Sequence, residues 1–302
     1  MLLRDNNKRF VPLKIFSVIF LAVICTGCTR VNNRNIKALS GGQIINTWDY
    51  LEEQIPSVIG SPQIEALPPH KANVWAGTVS HHLLADTQID RWFYEIAERR
   101  KVETFFIICP SHYGLSSQVW SLDNCCWQTK NGIVYTDEKT EQAISDYLGV
   151  KYDSQVFPVE HGVNVLIPYI ARYFPKAKIC VIGVEGEPPL NQKNAQLLAD
   201  ALAPYFTDKA KKKNFLLIST DFAHHGNLEG TQYKDQRSRE FFNNPSDSTW
   251  VYCGCDNRPG IYVLSRFLSG DTKAVILYHT NSYELSGQDE DDITSYFFSL
   301  FY

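Results

Sequence analysis

Four short stretches of this chain are apolar at nearly every position: Thr104 to Cys109 (TFFIIC), Lys178 to Val184 (KICVIGV), Phe215 to Thr220 (FLLIST) and Ala274 to His279 (AVILYH). A strand with one face in water alternates apolar and polar side chains. A run without that alternation must be covered on both faces, as strands in parallel sheets are. Val74 to Ser80 (VWAGTVS) is a further run of this kind. Helical spacing fills the gaps. Residues 86–100 place Ile89, Trp92, Phe93 and Ile96 at i, i+3, i+4 and i+7, and residues 162–174 repeat the pattern with Val163, Leu166, Ile167 and Ile170. Residues 191–206 and 257–268 are the next helices. The alternation predicts a single α/β domain over residues 47–302, with a mostly parallel central sheet flanked by helices. A hydrophobic share of 44% and a charged share of 21% exclude a disordered or coiled-coil chain. The net charge of −4 excludes a nucleic-acid binder that works through a broad basic face.

The start of the chain has a different character. Arg4, Lys8, Arg9 and Lys14 precede a nearly apolar stretch from Ile15 to Gly27, shorter than the roughly 20 residues of a membrane span. A basic segment followed by a short apolar one is an export signal, assigned to residues 1–27. Gly27-Cys28 is similar to the cleavage and lipidation site of bacterial lipoproteins; an uncleaved signal anchor is the other reading. Both put the domain outside the cytoplasmic membrane and anchored to it. Residues 28–46 are polar and contain glycine, and are expected to be a tether. Cys109, Cys125, Cys126, Cys180, Cys253 and Cys255 are too sparse for a disulfide scaffold and lack zinc-finger spacing, although an exported protein can form one or two bridges from them.

In open α/β sheets, ligands sit outside the carboxyl ends of the strands. Here those ends carry Val79-Ser80-His81-His82, Pro110-Ser111-His112-Tyr113, Asp221-Phe222-Ala223-His224-His225 and His279-Thr280-Asn281-Ser282. Seven of the eight histidines lie at such an end or in Glu160-His161, just before a helix. Neutral imidazoles together with a carboxylate or thiolate bind Fe, Zn or Cu, whereas a buried histidine cluster without a metal repels itself on protonation. A metal site is therefore expected. Asp221 and His224 are three residues apart and share one face of a helical turn. Asp221 is then placed to orient a ligand histidine or to work with His224 as an acid/base pair; a turn opened by Thr220 or Asp221 as N-cap is the plainer reading.

Taken in order, these segments resemble the Memo family, the B component of the AmmeMemoRadiSam gene group. The matching residues are Val79-Ser80-His81, Ile107-Ile108-Cys109-Pro110-Ser111-His112, Glu160-His161-Gly162-Val163-Asn164-Val165-Leu166-Ile167-Pro168-Tyr169, Ser219-Thr220-Asp221-Phe222-Ala223-His224 and Tyr278-His279-Thr280-Asn281-Ser282. The resemblance implies a fold like that of the class III extradiol dioxygenases. It also implies a site of two histidines and a cysteine with an aspartate and a histidine nearby. It carries His81 and His112 over as metal ligands, and Asp221 and His224 as the catalytic pair. For the cysteine, Cys255-Asp256-Asn257-Arg258-Pro259 keeps the family's spacing to proline and Cys253-Gly254 keeps its Cys-Gly. Cys255 is preferred because Pro259 sets the register of the following helix, and a disulfide at these positions would compete with ligation. Glu160 and His161 are expected beside the ligands, with Glu160 either bonding a ligand histidine or capping the helix after it.

Two histidines and a thiolate would hold Fe(II) or Cu, with Zn the less favoured ion, and leave positions open for a small-molecule or peptide ligand. The expectation is a metal-dependent oxidoreductase. The alternatives are a non-catalytic binding module, with Trp75, Trp92, Trp120, Trp127 and Trp250 as an aromatic wall, and a zinc hydrolase in which His224 activates water.

Overall fold

The computed structural model describes residues 42–47, 58–185 and 191–302. The expected export signal, with Cys25 and Cys28, lies outside them, as does most of the expected tether. Among the described residues no helix is long and apolar enough to cross a membrane.

The strands are β1 (Ile44–Asn46), β2 (Ala76–Val79), β3 (Thr104–Pro110), β4 (Trp120–Ser121), β5 (Cys126–Thr129), β6 (Gly132–Tyr135), β7 (Lys178–Val184), β8 (Asn214–Ser219), β9 (Ala274–Asn281) and β10 (Ser295–Phe301). Seven of them form the main sheet in the order β4-β7-β3-β8-β2-β10-β9. β7, β3, β8 and β2 pair in parallel, with Ile107 between Val181 and Leu217 and with Val79 beside Ser219. β10 runs antiparallel to both β2 and β9, so β9 points the same way as the central four. All five runs read from the sequence are therefore strands with one direction, and their carboxyl ends lie along one edge. β10 (SYFFSLF) was not among them. It too is buried at every position.

Side chains along these strands alternate between two cores, which is why the runs need no polar residue. Phe105, Ile107, Phe215 and Leu217 face one core; Phe106, Ile108, Leu216 and Ile218 face the other. The helices are α1 (Asp86–Ala97), α2 (Glu138–Leu148), α3 (His161–Asn164), α4 (Ile167–Tyr173), α5 (Gln192–Leu202), α6 (Leu228–Asn243), α7 (Arg258–Arg266) and α8 (Ser282–Ser286). α1, α3 and α4 cover the first face with Trp92, Phe93, Val163 and Ile170; α2, α5, α6 and α7 cover the second with Ile144, Leu198, Phe241 and Val263. Fully burying a side chain of this size contributes about 1.5–3 kcal/mol.

Two expectations are corrected here. The helix read over residues 162–174 is broken between Asn164 and Ile167. Pro168 has no N–H for the Asn164 carbonyl and its ring crowds that carbonyl. The tether is also shorter than expected. Ile44–Asn46 is a strand that pairs in parallel with Cys126 to Gln128, extending the β5–β6 hairpin into a small second sheet. All six described cysteines are buried, and none of the considered bridges is formed among them.

Candidate metal centre

Parallel strands deliver the site. His81 lies two residues past β2, His112 two past β3 and Asp221 two past β8, all at the same sheet edge. His161 opens α3 beside them. One ring nitrogen each from His81, His112 and His161 lies within 4.8 Å of the other two. The ring centroids are 4.9 Å apart for His81 and His112, 5.2 Å for His81 and His161, and 4.0 Å for His112 and His161.

Hydrogen bonds at the far side of the rings set their tautomers. Ser219 Oγ donates to the Gly162 carbonyl at 2.5 Å, so its contact with His81 Nδ1 at 2.9 Å is one in which the ring donates. His112 Nδ1 donates to Glu160 Oε1 at 2.6 Å. Both residues therefore carry a proton on Nδ1 and turn Nε2 inward, the orientation of metal-bound histidines held by a carboxylate or hydroxyl. Glu160 is buried and its carboxylate also accepts from the backbone N–H groups of His112 (2.9 Å) and Gly162 (2.8 Å). It thus bonds the ligand histidine and caps α3, the two roles considered for it. Gly162 is needed for this: a Cβ there would sit 3.0 Å from Glu160 Oε1 and 3.4 Å from His112 Cε1.

A buried carboxylate faces the rings. Asp256 Oδ1 accepts from Thr220 Oγ1 at 2.7 Å and from the Asp221 N–H at 3.0 Å. Its Oδ2 has no hydrogen-bond partner, yet lies 3.3 Å from His81 Nε2, 3.7 Å from His224 Nε2 and 3.8 Å from His112 Nε2. Asn257 fixes this segment. Its Oδ1 caps α7 at the Gly260 N–H, and its Nδ2 donates to the carbonyls of Ile108 and Ser219 at 2.9 Å each, tying the loop to the ends of β3 and β8. Asp221 accepts from Ser80 Oγ at 2.5 Å and keeps its Oδ2 3.8 Å from His81 Nε2.

The family model for Memo-like proteins matches residues 49–293, which takes in every residue of this cluster. The chain belongs to the Memo family. A MEMO1 family protein of Pyrobaculum aerophilum is 26% identical over 272 residues, covering 84% of this chain and 91% of the relative. A second, from Pyrobaculum arsenaticum, is 26% identical and covers 80% and 84%. A third, from Saccharolobus solfataricus, is 25% identical and covers 77% and 81%.

In this Memo-family site the charges balance one another. Burial disfavours a charged His81, but Asp221 and Asp256 outweigh it and raise its pKa. His112 is lifted to about 9 against the same burial, by Asp256 and Glu160. His161 is driven down to about 4, by burial first and then by repulsion from His81 and His112, so it is a neutral donor at pH 7. Burial works to raise the Asp256 pKa, yet the neighbouring imidazoles hold it below the ordinary carboxylate range. Carboxylates that draw protons onto the imidazoles facing them would equally stabilise a metal ion in the place of those protons, at the centre of this cluster. A cavity of about 340 Å³ opens over it, lined by His82, His161, Val165, Asp221, His224 and Thr294 among others.

Of the residues read from the sequence, His81, His112, Glu160, His161, Asp221 and His224 are brought together. Cys255 is not part of the histidine group. It lines a neighbouring cavity of about 470 Å³ with Cys253, Asp256 and His224, and burial, then the charge of Asp256, pushes its thiol up to about 12. The residue that faces the histidines is the next one, Asp256. The signal that could have found it is the capping pattern: Asn257 followed by Pro259 marks the start of the helix, and the residue before an N-cap is the last free to turn into the site. The aromatic wall considered for a binding module is not found at this cavity. Trp75, Trp92, Trp120, Trp127 and Trp250 are all buried, and none of them lines the histidine cavity.

Proposed function

We propose that this Memo-family protein is a metal-dependent oxidoreductase acting on a small molecule. The observation that carries the reading is the convergence of His81, His112 and His161, with the first two rings locked so that Nε2 points inward. A bound Fe(II) or Cu ion would supply redox chemistry and polarise a substrate atom. His81 and His112 hold the ion. Ser219 and Glu160 keep those rings in their ligating orientation and tautomer. His224, whose side chain is about 30% exposed at the cavity, is placed to pass a proton between substrate and solvent. Asp221 accepts from Ser80 Oγ and keeps its Oδ2 3.8 Å from His81 Nε2. The cavity of about 340 Å³ accepts a compact small molecule rather than a folded domain.

The test is elemental analysis of the full-length chain, purified anaerobically in detergent beside His81→Ala and His112→Ala. Near-stoichiometric iron or copper in the wild type, lost in both variants, supports the reading, and oxygen consumption is then the activity to assay. Zinc in its place favours a hydrolase. No metal after reconstitution overturns the enzyme reading and leaves a binding module. We further propose that residues 1–27 export the chain and that Cys28 carries a lipid. Incorporation of labelled palmitate that survives Cys28→Ser would overturn that assignment.

A further inference from the structure

We propose that Asp256 supplies the anionic ligand of this centre, so that the ion is held by His81, His112 and a carboxylate oxygen rather than by two histidines and a thiolate. The inference rests on the metal-centre reading above and names the donor that completes it. Four observations carry it. Asp256 Oδ2 is a buried polar atom without a hydrogen-bond partner, and an orphaned buried acceptor is costly unless something else satisfies it. It lies 3.3 Å from His81 Nε2 and 3.8 Å from His112 Nε2, close to the roughly 3–3.5 Å that separates two donors each about 2.1 Å from one first-row ion. The carboxylate is aimed, because Thr220 Oγ1 and the Asp221 N–H take its other oxygen. The backbone behind it is pinned, because Asn257 bonds the ends of β3 and β8 while capping α7. Cys255 and Cys253 line the neighbouring cavity together with Asp256 and His224, and the group there that pairs with the histidine rings is the Asp256 carboxylate.

The donor set has consequences for the metal. Imidazole nitrogens with a carboxylate oxygen suit Fe(II), Mn(II) and Zn(II), and three ligands on one side leave the side toward the cavity open. A thiolate is the donor that favours Cu(I), and the centre lacks one. Cu(I) should therefore bind weakly to this chain. His161 and His224 line the cavity on that side.

The full-length apoprotein is titrated with Co(II), followed by absorbance, and with Fe(II) in competition with a chromophoric chelator. Wild type, Asp256→Asn, Asp256→Cys, Cys255→Ser and Cys253→Ser are compared, with far-ultraviolet circular dichroism as the folding control. The expected wild-type Co(II) complex shows d–d bands without an intense near-ultraviolet sulfur-to-metal charge-transfer band. Asp256→Asn weakens both ions by about 100-fold or more, since loss of a residue that merely supports a ligand already costs 10–100-fold. The two cysteine variants bind like the wild type. Asp256→Cys recovers affinity and gains the charge-transfer band together with tight Cu(I) binding. A charge-transfer band in the wild type that Cys255→Ser abolishes would overturn the assignment while leaving the metal centre intact; the spectrum decides this even where an Asp256 variant fails to fold. Absence of Co(II) and Fe(II) binding in the wild type would instead overturn the metal-centre reading, and this assignment with it.

Discussion

On two of the buried carboxylates of this protein, Glu141 and Asp256, burial acts in the same direction with opposite results. Glu141 lies on α2 against β7, where Cys180 donates its thiol proton to Oε2 at 2.6 Å; burial there pushes its pKa up to about 8. It is a protonated acid at neutral pH. Asp256 lies at the carboxyl edge of the sheet, where His81, His112 and His224 surround Oδ2 and keep it ionised. A buried acid by itself therefore marks nothing. What marks a site is a buried charge kept ionised by several convergent partners. The helix layer builds the first arrangement; the meeting of parallel strand ends builds the second.

The sharpest way to break the comparison is to remove each carboxylate in turn. Asp256→Ala takes away the partner of two imidazoles buried beside it. Breaking a buried pair from one side costs about 3–5 kcal/mol, so the apoprotein should melt well below the wild type, and bound metal should fall to background. The rings can shed their protons, so the loss should be smallest at alkaline pH. Urea unfolding of apoprotein at several pH values checks this. A midpoint unchanged at pH 6 would show that the charges around Asp256 are not coupled to folding.

Glu141→Gln should leave metal content untouched and change only the pH profile. The unfolded chain loses this proton near 4.5, whereas the native chain keeps it to about 8. Below 4.5 both states are protonated and the group contributes no slope. Between the two values the native state binds more protons, so stability falls as pH rises, by up to about 1.4 kcal/mol per unit from this one group. Above 8 both states are ionised and the slope from Glu141 ends. The Gln variant should lack this decline and be the more stable protein at pH 9. Parallel profiles for the two proteins would show that Glu141 is ionised in the native state.

A smaller effect is expected where the two kinds of packing meet. Gly162→Ala puts a methyl group 3.0 Å from Glu160 Oε1 and 3.4 Å from His112 Cε1. Overpacking of this size costs about 1–3 kcal/mol. Because Glu160 orients His112, metal affinity should weaken as well, within the 10–100-fold range seen for residues that support a ligand. Calorimetry beside a metal titration separates the two readouts. A variant with lower stability and unchanged affinity would show that His112 keeps its place without Glu160.

What the sequence told in advance follows the same division. The five apolar runs and the histidines beyond them were legible because both are local features, and parallel pairing carries the strand ends to one edge. β10 was not recognised because its serines interrupt the apolar run, although Ser295 and Ser299 are themselves buried, with Ser299 Oγ against Thr78. The break in the helix at Pro168 is local and was overlooked beside a strong apolar period. That the Asp256 carboxylate sits against the histidines was illegible for a different reason. Consecutive residues can face opposite sides of a loop, and only the hydrogen bonds of Asn257 to β3 and β8 decide which one faces the histidines.

The mildest change tests where the centre stops. His225 follows His224 and lines the same cavity, but its side chain is 78% exposed and pairs with Asp292 at 2.7 Å in solvent. Its φ of 51° lies in the left-handed region that favours glycine. His225→Gly should relieve about 1 kcal/mol of backbone strain, lose an exposed ion pair worth about 0–1 kcal/mol, and add about 0.4–1 kcal/mol of disorder to the unfolded chain. These nearly cancel, so the melting temperature should barely move. Metal content should not change at all, because position and not residue type separates this histidine from His224. A loss of metal in His225→Gly would extend the centre to the rim of the cavity and remove the contrast between buried and exposed histidines.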